Sequence, residues 1–192
     1  MHGQAYARRV TQEPFRGAPH TVDKIRKLAV KCQRHYPLRE LAEEIVGRLT
    51  SKDFLSEILA CYYWVLGNTR YANDPRNVEL VRSPAETLSR LKENVRLLLE
   101  DARGQAKWRP SLDCDDLVCL LCGLFLCLGR EVQIVTVAFH DAFVRGQRQY
   151  SHVYIRVREP RSNTWIVLDP VAAEDAAQML SRVKAAHIYP VA

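Results

Sequence analysis

Leu112-Asp113-Cys114-Asp115-Asp116-Leu117-Val118-Cys119-Leu120-Leu121-Cys122-Gly123-Leu124-Phe125-Leu126-Cys127-Leu128-Gly129, followed after two charged residues by Val132-Gln133-Ile134-Val135-Thr136-Val137-Ala138-Phe139, decides the fold. Between Leu117 and Leu128 nearly every position is apolar, so the segment suits a helix buried all round rather than one with a wet face. Its head, Asp113 to Asp116, is polar and suits a helix start, where backbone amides need side-chain acceptors and the dipole favours negative charge. Gly129 lacks a Cβ and fits the left-handed position that closes a helix. Beyond it the period changes from 3.6 to 2. Val132, Ile134, Thr136 and Ala138 alternate with Gln133, Val135, Val137 and Phe139, the pattern of a strand.

Upstream, Val22, Ile25, Leu28, Ala29 and Cys32 keep helical spacing from Thr21. Pro37 interrupts before Leu38, Leu41, Ala42, Ile45, Val46 and Leu49 resume it, which predicts two successive helices. Ser51 is placed to cap a third helix, with Phe54, Ile58, Leu59, Tyr62 and Val65 on its buried stripe and Gly67-Asn68 at its end. The stretch from Arg70 to Arg82, with Asn73-Asp74-Pro75 inside it, predicts a loop or short extended segment. Ser83-Pro84-Ala85-Glu86 has the order of cap, first helical residue and capping-box acid, so a helix should run from there to about Glu100. A polar link from Asp101 to Ser111 leads back to the central segment.

Downstream, Tyr150 to Arg158 and Thr164 to Asp169 predict two further strands. Helices precede the sheet, so the fold class is α+β. Residues 1–19 mix Arg, Gln, Gly and Pro without an apolar period and are expected to form a flexible arm. With 192 residues, 47% of them apolar, residues 20–192 can bury one sizeable core and are expected to be a single domain.

Composition narrows the function classes. Lys and Arg number 28 against 22 Asp and Glu, and the net charge of +6 is spread along the chain, without aromatic residues interleaved on a nucleic-acid module. Nucleic acid is therefore not an expected partner. The longest apolar run is about a dozen residues, short of the roughly 20 that a membrane span requires. No apolar stretch follows the basic residues at the N-terminus, so no secretory signal is expected and a reducing compartment is.

In that compartment the six cysteines should be thiols. Cys114-x4-Cys119-x2-Cys122 matches the plant-type spacing for an iron–sulfur cluster, but such ligands lie on a loop that wraps the metal. A buried helix cannot do this. Cys119, Cys122 and Cys127 are expected to be small core residues, and neither a metal nor a cofactor is expected.

Cys114 is different, because it stands at the polar head of its helix, where the positive dipole end favours a thiolate. Asp113, Asp115 and Asp116 oppose this, since nearby negative charge raises a thiol pKa, so a histidine partner is required. In Ser151-His152-Val153-Tyr154-Ile155-Arg156-Val157-Arg158, Val153, Ile155 and Val157 share one strand face and leave His152 and Tyr154 on the other. Pairing Val153, Ile155 and Val157 with Pro170, Leu168 and Ile166 in a hairpin gathers the aliphatic residues on one face. That register demands an even-numbered loop and puts His152 and Asp169 on a common face, opposite each other or one pair displaced.

These segments together, Asp113-Cys114-Asp115-Asp116, Ser151-His152-Val153-Tyr154 and Trp165-Ile166-Val167-Leu168-Asp169-Pro170, resemble the transglutaminase-like superfamily in the form found in tailed phages and prophages. Tyr71-Ala72-Asn73-Asp74-Pro75 and Val78-Glu79-Leu80-Val81-Arg82-Ser83-Pro84 extend the resemblance, which covers about residues 22 to 170. It implies a papain-like core in which an antiparallel sheet packs on the nucleophile helix and Cys114, His152 and Asp169 form a catalytic triad. It implies a cysteine protease or amidase, or a protein-glutamine acyltransferase, acting on a peptide or isopeptide bond. Hydrolysis is favoured, since many members of the superfamily are hydrolases. A bacterial cytoplasm or a virion is the implied location, with phage structural proteins as partners beside the peptide or protein substrate. The competing expectation is an inactive structural or assembly protein built on the same fold.

Three further expectations concern details of the site. The superfamily usually has Gly before the Asp-Cys pair, and Leu112 in that place is expected to narrow the approach to the thiol. The backbone amide of Cys114 is one natural oxyanion donor, with Trp108 or Gln105 as the side-chain donor. His140, beside Asp141, is the substitute for His152 should the hairpin register differ.

Overall fold

Pro19 stands in the first turn of α1 (Ala18–Cys32), where its missing N–H would be unpaired anyway. The helix therefore starts ahead of Thr21 and takes in the last residues of the expected arm. The computed structural model of the chain describes residues 17–73, 80–100, 109–144, 146–172 and 176–192. The rest of the arm, residues 1–16, lies outside them, as do Gln105 and Trp108. Pro37 likewise opens a helix instead of only ending one: it occupies the first turn of α2 (Tyr36–Val46).

Asp53, not Ser51, caps α3 (Phe54–Asn68), its carboxylate accepting from the Ser56 amide at 3.2 Å and the Ser56 hydroxyl at 2.7 Å. Lys52, at φ 65°, turns the chain between Ser51 and the helix, which takes Ser51 out of capping position. Ser83 caps α4 (Pro84–Glu100) as the sequence predicts, accepting from the Glu86 amide at 3.2 Å.

α5 (Cys114–Cys127) is the centre of the molecule. α1 to α4 pack around it, and the sheet closes its remaining side. Leu117, Leu120, Leu121, Leu124 and Phe125 are fully buried, which explains the run without a polar face. Gly129, at φ 67°, ends the helix in a Schellman motif: its amide donates to the Leu126 carbonyl at 3.1 Å, and the Arg130 amide to Phe125 at 2.9 Å. Gly123 is required by close packing, because a Cβ there would sit 2.8 Å from the Pro84 ring.

Two short strands, β1 (Arg70–Tyr71) and β2 (Ser111–Leu112), form a parallel ladder ahead of α5. The main sheet contains β3 (Val132–Ala138), β6 (His152–Glu159), β7 (Thr164–Leu168) and β8 (Ala185–Pro190), in the order β7-β6-β3-β8 and antiparallel throughout. A small hairpin, β4 (Phe143–Val144) with β5 (Gln147–Arg148), lies between β3 and β6. The molecule is thus α+β, with helices preceding an antiparallel sheet.

β6 and β7 pair in the register that gathers their aliphatic residues, Ile155 opposite Leu168 and Val157 opposite Ile166. That face, with Val132 and Ile134 of β3, joins the core around α5. On the opposite face Val135, Val137 and Tyr154 cluster with Met179 of α6 (Ala176–Ser181). Covering both faces of β3 explains why its alternation is interrupted by Val135 and Val137.

Candidate functional site

The head of α5 is held from three directions. Asp113 caps it, accepting from the Asp116 amide at 2.9 Å, and this makes Cys114 the first helical residue, partly exposed. The fully buried Asp116 carboxylate accepts the Arg82 amide at 2.6 Å and pairs with the Arg82 guanidinium, anchoring the chain that leads into α4. The β1–β2 ladder ties in a third segment: the Arg70 amide donates to Pro110 at 3.0 Å and the Ala72 amide to Leu112 at 2.9 Å. The Cys114 thiol lies 3.8 Å from the Asp115 Oδ1 to which it donates.

His152 opens β6 and Asp169 follows β7. Nε2 of His152 and Oδ2 of Asp169 are 2.6 Å apart. The other carboxylate oxygen, Oδ1, accepts the amides of Val171 at 2.9 Å and Ala172 at 3.0 Å. Asp169 is 1% exposed. Burial pushes its pKa up, but the His152 hydrogen bond and charge and the two amides outweigh this and hold it below the ordinary carboxylate value. The backbone carbonyl of Asp169 in turn accepts the Tyr62 hydroxyl of α3 at 2.6 Å. Phe139 stacks on the His152 ring, centroids 6.2 Å apart, and Arg182 covers Phe139.

Cys114 and His152 line one cleft of about 220 Å³. Tyr71, Asn73, Asp113, Asp115 and Tyr150 are also in its walls. Because Nε2 of His152 is taken by Asp169, Nδ1 is the ring nitrogen left to serve the cleft. Burial pushes the Cys61 thiol up to about 12 and that of Cys127 up to about 11, and raises Cys119 and Cys122 as well.

Leu112 does not line the cleft. It is 1% exposed and belongs to the hydrophobic core around α5. His140 is exposed in the bend after β3 and is not part of the cleft either. Tyr71, Tyr62 and Phe139 are site residues with no motif to mark them as such. Tyr71 stands in a segment without periodicity, and only its pairing with Leu112, about 40 residues on, brings it to the helix head. Among the described residues no group of His, Cys, Asp and Glu is arranged to hold a metal, and no helix is long and apolar enough to cross a membrane.

No family model and no curated protein matches the chain. Among solved structures, the chain is similar to a "putative cysteine protease" from Cytophaga hutchinsonii, with a TM-score of 0.48 and 18% identity over 80% of this chain. It is also similar to a "putative protease" from Parabacteroides distasonis, with a TM-score of 0.45 and 10% identity over 74% of this chain. The chain spans 46% of the first of these proteins and 25% of the second.

Proposed function

We propose that the protein is a transglutaminase-like cysteine hydrolase that cleaves a peptide or isopeptide bond through Cys114, His152 and Asp169. The observation that carries this reading is the shared cleft: a thiol at a helix N-terminus and an imidazole whose far nitrogen is held by a buried carboxylate. Asp169 keeps the Nε2 proton in place, so Nδ1 can take the proton of Cys114. The thiolate attacks the carbonyl carbon, and the C=O electron pair moves to oxygen. When that pair returns, the C–N bond breaks and imidazolium protonates the departing amine. Water, activated by the same imidazole, then cleaves the thioester. An amine in place of water would give transamidation by the same steps.

Two measurements test the reading. Iodoacetamide at about pH 6 should alkylate Cys114 well ahead of the other five cysteines, because ordinary thiols titrate near 8.5. Peptide and isopeptide libraries, read by mass spectrometry with and without added primary amine, should give acid products that Cys114→Ser abolishes. Equal labelling of all accessible cysteines together with no turnover would sink the proposal, and amide products in preference to acids would reassign it to acyl transfer.

A further inference from the structure

We propose that the Tyr71 hydroxyl is the side-chain donor to the substrate carbonyl oxygen while Cys114 attacks the carbonyl carbon. This rests on the hydrolase reading above and names the group that completes its oxyanion site. The attack places a full negative charge on an oxygen beside Asp113 and Asp115, both in the walls of the cleft. That charge needs a positioned donor, and no Lys or Arg lines the cleft among the described residues.

Tyr71 has the placement. The parallel β1–β2 ladder sets it opposite Leu112, two residues before the nucleophile. Two residues of extended chain advance about 7 Å, a distance that a tyrosine ring and its hydroxyl can span. The ring lies in the wall of the same cleft as Cys114 and His152, and its hydroxyl donates to Asn73 Oδ1 at 2.5 Å. Asn73 thus holds the hydroxyl within the cleft wall, and rotation about the phenolic C–O bond redirects the proton toward a developing anion.

Tyr71 also keeps its proton. Burial, the Cys114 side chain and the carboxylates of Asp113, Asp115 and Asp169 all raise its pKa, so it remains a neutral donor throughout the range in which the thiol works. In the step itself the Cys114 sulfur bonds to the carbonyl carbon and the π pair moves to oxygen. Tyr71 donates a hydrogen bond to that oxygen without losing its proton. The pair then returns and the leaving group departs.

Two small probes separate this role from an effect on the thiol. p-Nitrophenyl acetate acylates a thiolate through a tetrahedral oxyanion, releasing p-nitrophenolate and leaving an acetyl thioester, whereas iodoacetamide alkylates the same sulfur without forming an oxyanion. In Tyr71→Phe, acylation of Cys114 should slow by at least about tenfold, toward the 10²–10³ that loss of one such donor costs, with alkylation unchanged. Peptide mapping and Cys114→Ser assign both signals to Cys114, and an unchanged melting temperature shows that the variant is folded. Unchanged acylation would overturn the proposal, and so would an equal fall in both rates, since Tyr71 would then act on the thiol. A wild-type Cys114 inert to both probes would instead overturn the hydrolase reading, and this proposal with it.

Discussion

Asp169 sits diagonally from His152 on the β6–β7 hairpin, and its two oxygens do different work. Oδ2 meets Nε2 of His152 at 2.6 Å, while Oδ1 accepts the amides of Val171 and Ala172 and so turns the chain beyond Pro170. A histidine partner and a turn former are usually alternatives for an Asp before Pro; here one buried carboxylate is both.

That division makes Asp169→Asn an informative change. The amide oxygen can still accept from Val171 and Ala172, so the turn should persist and the melting temperature move by a few degrees at most. The amide nitrogen, facing Nε2, forces the imidazole proton onto Nδ1, which then cannot receive the proton of Cys114. Turnover should fall by orders of magnitude, up to about 10⁴, and iodoacetamide labelling at about pH 6 should slow. Labelling at the wild-type rate would reduce Asp169 to its turn.

Acid stability should report the same carboxylate. Asp169 titrates below its ordinary value in the folded chain, so its contribution is present above the unfolded value near 3.9 and is lost as pH falls through the folded one. Thermal melts from about pH 6 to pH 2 should show wild type losing stability through this window. Asp169→Asn should show a smaller loss over the same range.

Asp116 should matter for stability more than its place beside Cys114 implies for chemistry. Its buried carboxylate pairs with Arg82, so Asp116→Ala leaves a largely buried guanidinium without its partner. The expected cost in urea unfolding is about 3–5 kcal/mol, with the double variant Asp116→Leu, Arg82→Met recovering much of it. A single variant as stable as wild type would contradict a buried Asp116–Arg82 pair.

Leu112→Ala discriminates between core and gate. A side chain buried in the core should cost about 2–5 kcal/mol when truncated. Labelling of Cys114 in the folded variant should be no faster than in wild type. Faster alkylation with little loss of stability would mean that Leu112 does restrict access to the thiol.

The helices around α5, the change of period at Gly129 and the pairing face of β6 and β7 were legible in the sequence because each rests on local physics. Apolar periodicity records which side of an element is buried, and a hairpin joined by residues 160–163 inherits its register from that pattern. The common face of His152 and Asp169 followed from parity alone. Where local signals competed, the sequence misled: Ser51 and Asp53 are both good caps, and the positive φ of Lys52 decided between them.

The succession of elements and the face each side chain occupies are thus written in the local pattern of residues. Which distant segments meet at the head of α5 follows from the packing of the elements. Tyr71 reaches the cleft through a parallel ladder to Leu112, Arg82 reaches Asp116 from the chain ahead of α4, and Tyr62 reaches the Asp169 carbonyl from α3. β8, which pairs with β3 and leaves Ile188 exposed, likewise has no apolar alternation to announce it. The physical reason is common to all four: short-range periodicity encodes burial, whereas ladders and hydrogen bonds between remote residues depend on how the elements pack, which no local pattern records.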